Sequence, residues 1–195
     1  MGVVVTSPDP ALVSPASRVN FAFGFTFANM GAAFLASMAV FVARDIAGGS
    51  LHFTGWLLRI CEGIPGSAVF GLLQALYLRK NLPDPDWRPW LYVTVAAGAV
   101  AGLLDRFGQL PGLFFFMWLL CGGTQAFLLS KRVKNWGLWL GGVFAGNIVA
   151  LIAMQAMFPT EAAQEARDAF LTYALLGGGL QGVTAGFAFA NLERK

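Results

Sequence analysis

The sequence predicts an all-α integral-membrane protein: a six-transmembrane-helix bundle built from three helical hairpin repeats. Three observations predict it. Apolar runs near 20 residues recur along the chain, the length that crosses a hydrocarbon core about 30 Å thick. Only 12% of the 195 residues are charged and 57% are hydrophobic, whereas a soluble domain carries roughly 25% charged residues. Basic residues also gather at alternate connections between the runs, which is how membrane orientation is written.

Taken in order, residues 1–18 read as a flexible cytoplasmic tail, because the prolines of PDPALVSP discourage a helix. The start lacks the charged region of a signal peptide. It matches the short myristoylation pattern through Gly2 and Thr6, which is weak by itself. Residues 19–195 form one transmembrane domain with spans at about 20–43, 60–78, 90–104, 113–129, 136–158 and 170–192. An amphipathic lead-in, SLHFTGWLLR, precedes the second span and holds His52, the single histidine. The GIPG run at 63–66 is expected to kink or interrupt that span. The segment FPTEAAQEARDAF reads as a capped turn between the last two spans, with Thr160 as the cap.

Charge sets the expected orientation. With six crossings, Arg18, Arg79, Lys80, Arg88, Lys131, Arg132, Lys134, Arg194 and Lys195 share one side, nine of thirteen basic residues. The positive-inside rule then places both termini in the cytoplasm, with a bacterial cytoplasmic membrane as the expected location. Basic residues at the ends of apolar runs are anchors rather than a nucleic-acid patch, so lipids are the expected neighbours. Trp87, Trp90, Trp136 and Trp139 lie in or beside these loops and are expected in the interfacial aromatic belt.

Small residues recur at every fourth position on each span, the GxxxG-like ridges that let helix backbones approach when lipid removes any hydrophobic drive between them. The ridges include Gly71 on the second span, Gly122 on the fourth, and Gly178, Gly182 and Gly186 on the sixth. The fifth carries two rows, Gly137-Gly141-Ala145 and Gly142-Gly146-Ala150. Gln74, Gln125 and Gln181 each stand three residues after a ridge glycine, beside the contact face. There an amide can bond a neighbouring helix, for about 1 kcal/mol. Asn29 and Asn147 are the partners expected by type, with Thr26 and Thr94 weaker ones; the alternative role is a polar lining for a ligand. Arg59 and Glu62, three apart, are expected to form an ion pair.

Gly71-Gln74-Ala75-Leu78-Lys80 aligns without gaps on Gly122-Gln125-Ala126-Leu129-Lys131, 51 residues later. The third copy is ambiguous between an alignment on Gln181 and one on the terminal Arg194-Lys195. This pattern resembles a set of uncharacterised prokaryotic polytopic membrane proteins, in which a helix ends GxxQxxxL(R/K) and a basic turn and tryptophan open the next span. The chain departs in carrying Ala75 and Ala126 where that group is expected to have an aromatic residue. The resemblance implies architecture and no activity.

Function is constrained mainly by what the sequence lacks. There is no Ser-His-Asp set, phosphate loop or pair of catalytic carboxylates, so no enzyme is expected. One histidine and two unpaired cysteines, Cys61 and Cys121, leave no metal site. No cofactor is predicted, although the 18 phenylalanines could touch chlorophyll or carotenoid rings of a partner. The leading expectation is a non-catalytic subunit or scaffold that packs with other integral-membrane subunits or with itself. A small solute or ion transporter or channel, and a pigment-associated photosynthetic subunit, are the alternatives.

Overall fold

The structure, a computed structural model, describes residues 11–46, 56–81, 87–108, 113–157 and 167–195. The side chains of residues 44, 56–62, 102, 104–108, 113–118, 154 and 167–174 are excepted. The described residues are helical apart from turns and two isolated β-bridges. After a short 3-10 turn, Pro15–Ser17, come α1 (Arg18–Asp45), α2 (Trp56–Asn81) and α3 (Arg88–Gly108). Then follow α4 (Leu113–Ser130), α5 (Gly137–Met157) and α6 (Arg167–Ala190).

The helices start and stop for local reasons. Pro15 opens its turn and Pro89 stands in the first turn of α3, where a missing N–H leaves no helical bond unmade. Inside α2, Pro65 leaves the helix continuous, where the sequence predicts a kink or an interruption. The Ser67 hydroxyl donates to the carbonyls of Gly63 and Ile64, 2.7 and 3.1 Å away, and Gly66 lets the Ala36 carbonyl of α1 lie against that turn. At about 1.5 Å per residue, the 18 residues of α4 reach about 27 Å and the 28 of α1 about 42 Å.

By length and apolar composition, two helical stretches among the described residues can cross a membrane, 15–43 and 137–157. Leu119–Ser130 and Leu175–Ala190 are shorter apolar stretches.

Each helix packs against its neighbours in sequence, and α6 returns to pack along α1, so the six close into a ring. Residues 11–12 and 192–195 fasten one end of that ring. Residues 192–195 lie between the segment at Ala11–Leu12 and the α4–α5 turn. Leu12 N–H donates to the Leu192 carbonyl at 3.0 Å, and Lys134 N–H to the Glu193 carbonyl at 2.9 Å. Asn135 adds bonds to Glu193 N–H and the Asn191 carbonyl, and the Arg18 guanidinium reaches Asn191 Oδ1. Residues 11–17, read from the sequence as part of a flexible tail, are therefore docked, with Val13 buried.

Inside the same end, aromatic rings fill the ring of helices. Trp139 of α5 stands perpendicular to Phe189 of α6 at 5.6 Å and contacts Trp90 of α3 at 5.3 Å. Phe25 of α1 meets Trp139 at 6.0 Å, and Trp87 meets Trp90 at 5.7 Å. This corrects the aromatic-belt expectation. Trp87, Trp90 and Trp139 are buried core residues, and of the four tryptophans only Trp136 is exposed. Ring closure turns the first turns of α3 and α5 inward, and sequence position alone does not encode that.

Candidate functional site: a buried amide network

Next to the aromatic cluster, four helices each contribute one amide side chain to a continuous hydrogen-bonded network. Gln74 of α2 is its hub. Its Nε2 donates to Asn29 Oδ1 of α1 at 2.6 Å. Its Oε1 accepts from Trp90 Nε1 of α3 at 3.1 Å and from Gln125 Nε2 of α4 at 3.0 Å. Asn29 Nδ2 passes the chain to α6, donating to the Gly178 carbonyl at 2.8 Å and Gln181 Oε1 at 3.1 Å. Gln125 Nε2 also donates to Thr94 Oγ1 at 3.0 Å, whose hydroxyl donates to the Trp90 carbonyl at 2.7 Å. Five helices are thus tied through side chains at most 5% exposed.

The glycine ridges make this convergence possible. A Cβ on Gly71 would sit 2.8 Å from Thr94 Cβ of α3, and one on Gly122 2.6 Å from Val143 Cγ1 of α5. On α6, a Cβ at Gly178 would fall 3.1 Å from the Asn29 carbonyl of α1 and 2.6 Å from Ala33 Cβ. Gly182 and Gly186 continue that contact along Thr26 and Ala22. In each case an even-numbered helix lays a glycine against the next helix around the ring. Its glutamine, three residues on, is carried to the side of that contact.

Of the residues singled out by sequence, the structure brings together Gln74, Gln125, Gln181, Asn29 and Thr94. It does not bring in Asn147, which is buried but bonds the Val143 carbonyl of its own helix at 2.9 Å. Thr26 likewise bonds its own helix, at Ala22. Arg59 and Glu62 both lie on α2, but their side chains are outside the described ones, and His52 and Thr160 are outside the described residues. Trp90 is the member that sequence reasoning missed. One signal could have found it: Phe25–Asn29, Trp90–Thr94 and Trp139–Val143 are each four apart, and the second of each pair faces a ridge glycine.

Chemically the network is neutral. Amides, a hydroxyl and an indole N–H donate and accept hydrogen bonds but supply no general base, no nucleophile and no charge for a metal. Among the described residues no group of three or more metal-ligating side chains occurs. What the arrangement can do is hold helices in register, because a buried amide left without partners costs about 1–3 kcal/mol.

Comparison with protein-family models, curated proteins and solved structures returned no match. Among the described residues, the fold and site are those of a closed helical bundle with a buried amide network beside an aromatic core and many exposed apolar side chains.

Proposed function

We propose that the protein is a non-catalytic integral-membrane subunit, with all six helices crossing the bilayer, that docks a transmembrane helix of another subunit or a second copy. Phe27, Tyr92, Phe127 and Ile152 are all more than 60% exposed, while the amides lie inside. Lipid is the solvent that suits this arrangement. The basic residues at one end support a cytoplasmic placement of both termini. The matching contacts of Gly71, Gly122 and Gly178 support three repeated hairpins, with the third aligned on Gln181 rather than on the terminal basic residues.

The observation that carries the subunit reading is on α5. Its inner row is consumed by the chain itself: a Cβ on Gly142 would meet the Thr184 carbonyl of α6 at 2.8 Å, and Gly146 faces Gln181. Its outer row is not. Gly137 and Gly141 have nothing within 4 Å of a built Cβ, and Ala145 is exposed. Only 29% of this helix's membrane-length window is buried. An outward small-xxx-small ridge is the surface by which helices associate in lipid. Transport is disfavoured because the buried amides are hydrogen-bonded to one another and aromatic rings fill the end of the bundle beside them.

The test uses the full chain extracted in mild detergent, with its assembly mass read by light scattering. The wild type is expected above monomer mass. Gly141→Leu should shift it to monomer with an unchanged melting temperature, whereas Gly146→Leu should lower that temperature. A monomeric wild type, an assembly indifferent to Gly141→Leu, or solute flux through the protein in liposomes would overturn the proposal.

A further inference from the structure

The α4–α5 turn reads KRVKNW, and its backbone groups need partners outside a helix. Residues 191–195 supply several. Lys134 N–H donates to the Glu193 carbonyl at 2.9 Å and Lys195 N–H to the Arg132 carbonyl at 3.0 Å. Val133 and Arg194 therefore stand directly opposite without a bond between them, the pairing that brings side chains closest. Asn135 adds its side chain. Its Oδ1 accepts from Glu193 N–H at 2.8 Å, and its Nδ2 donates to the Asn191 carbonyl at 3.0 Å. The Asn135 carbonyl also accepts from Leu138 N–H, in the first turn of α5, at 3.0 Å. One residue thus joins the end of α6 to the start of α5.

That start needs a fastening. Among the described residues α5 contributes no side chain to the buried amide network, whereas each of the other five helices does. Further along, Gly142 and Gly146 seat α5 on α6. Over its first two turns nothing lies within 4 Å of a Cβ built on Gly137 or Gly141. The inward residue there, Trp139, is buried, and its indole N–H has no hydrogen-bond acceptor. A donor buried without an acceptor opposes the closed arrangement. The Asn135 bonds that maintain it are exposed, and exposed hydrogen bonds open at low cost.

We infer that residues 191–195 and the α4–α5 turn form a latch on α5 that controls assembly. Closed, it fixes the way the Gly137-Gly141-Ala145 ridge faces a partner; open, it frees the first turns of α5 and releases the partner. The inference rests on the subunit reading above and names what regulates that surface. Asn135, two positions before Gly137, is the positioning residue. Leu192 and Val133, both buried with the aromatic cluster, are the seated part, from which residues 193–195 peel back. From Gly137 to Ala145 is eight residues of helix, about 12 Å. A swing of the first two turns takes Gly137 and Gly141 out of line with Ala145.

The experiment uses the full chain in mild detergent, carrying Cys61→Ser and Cys121→Ser, and reads amide hydrogen exchange together with assembly mass by light scattering. Asn135→Ala should speed exchange at residues 138–141 about tenfold, the worth of two exposed hydrogen bonds. It should lower the assembled fraction and leave exchange at residues 143–150 as in the wild type. Asn135→Asp keeps the acceptor for Glu193 N–H and should fall between. A disulfide across the opposed pair, Val133→Cys with Arg194→Cys, should restore slow exchange and assembly to the Asn135→Ala chain, and reductant should remove the rescue. Unchanged exchange at 138–141, exchange raised equally along all of α5, cysteines that do not join, or a disulfide without rescue would overturn the latch. An assembly that ignores both the cut and the lock would overturn its control and leave the subunit reading standing. A monomeric wild type would instead overturn the subunit reading, and the control of assembly with it, while the exchange measurements still test the latch.

Discussion

Gln74 bonds three other network members, so its loss strands more than the loss of any single peripheral amide. Gln74→Met keeps the volume but leaves Asn29 Oδ1, Trp90 Nε1 and one bond of Gln125 without a partner. It should lower stability by about 2–3 kcal/mol. Gln125→Met should cost about 1 kcal/mol, since Gln74 and Thr94 keep other bonds. Asn147→Leu should cost least, under about 1 kcal/mol, because its partner carbonyl belongs to its own helix. Denaturant titration in detergent ranks the three, and an Asn147 variant as damaging as the Gln74 one would contradict the network. The glutamines were legible because a polar amide recurring after a ridge glycine is conspicuous in an apolar span. Thr94 was legible as a weaker partner by type, and Trp90 was not. A tryptophan after a basic turn reads equally well as an interfacial anchor, and only the closure of the ring decides that it points inward.

At the scale of the element, the helices are set by where small residues face. Gly186 lies against backbone: a Cβ there would stand 2.9 Å from the Ala22 carbonyl oxygen and 3.2 Å from its Cα. Backbone cannot swing aside, so Gly186→Ala must push α6 from α1 and should cost about 1–3 kcal/mol. Gly31 on α1 has nothing within 4 Å of a built Cβ. Gly31→Ala should be neutral or stabilise by up to about 1 kcal/mol, through lower entropy of the unfolded chain. Paired melting curves test this, and equal effects of the two would contradict the α1–α6 packing. Helix positions were legible to within a few residues, since apolar runs end at charges: α4 ends at Ser130, before Lys131. The start of α2 was less so. It begins at Trp56 rather than near residue 60, and the helix runs on through Pro65.

For the whole molecule, the ring explains how a chain so poor in charge organises its few polar groups. Basic residues mark one end, amides lie within, and the apolar residues left over face outward. The C-terminal residues reinforce this by pairing with Ala11 on one side and the α4–α5 turn on the other, which sequence patterning did not reveal because two isolated bridges leave no periodic trace. The central claim is that the ring stands across a membrane with both termini and the α2–α3 and α4–α5 turns on the cytoplasmic side. Cysteine labelling tests it most directly, in cells whose protein carries Cys61→Ser and Cys121→Ser. A membrane-impermeant maleimide should label Gln109→Cys, between α3 and α4, in intact cells. It should label Asn81→Cys and Lys134→Cys only after the membrane is opened. Labelling of all three alike, or recovery of the protein from the aqueous fraction, would contradict the account.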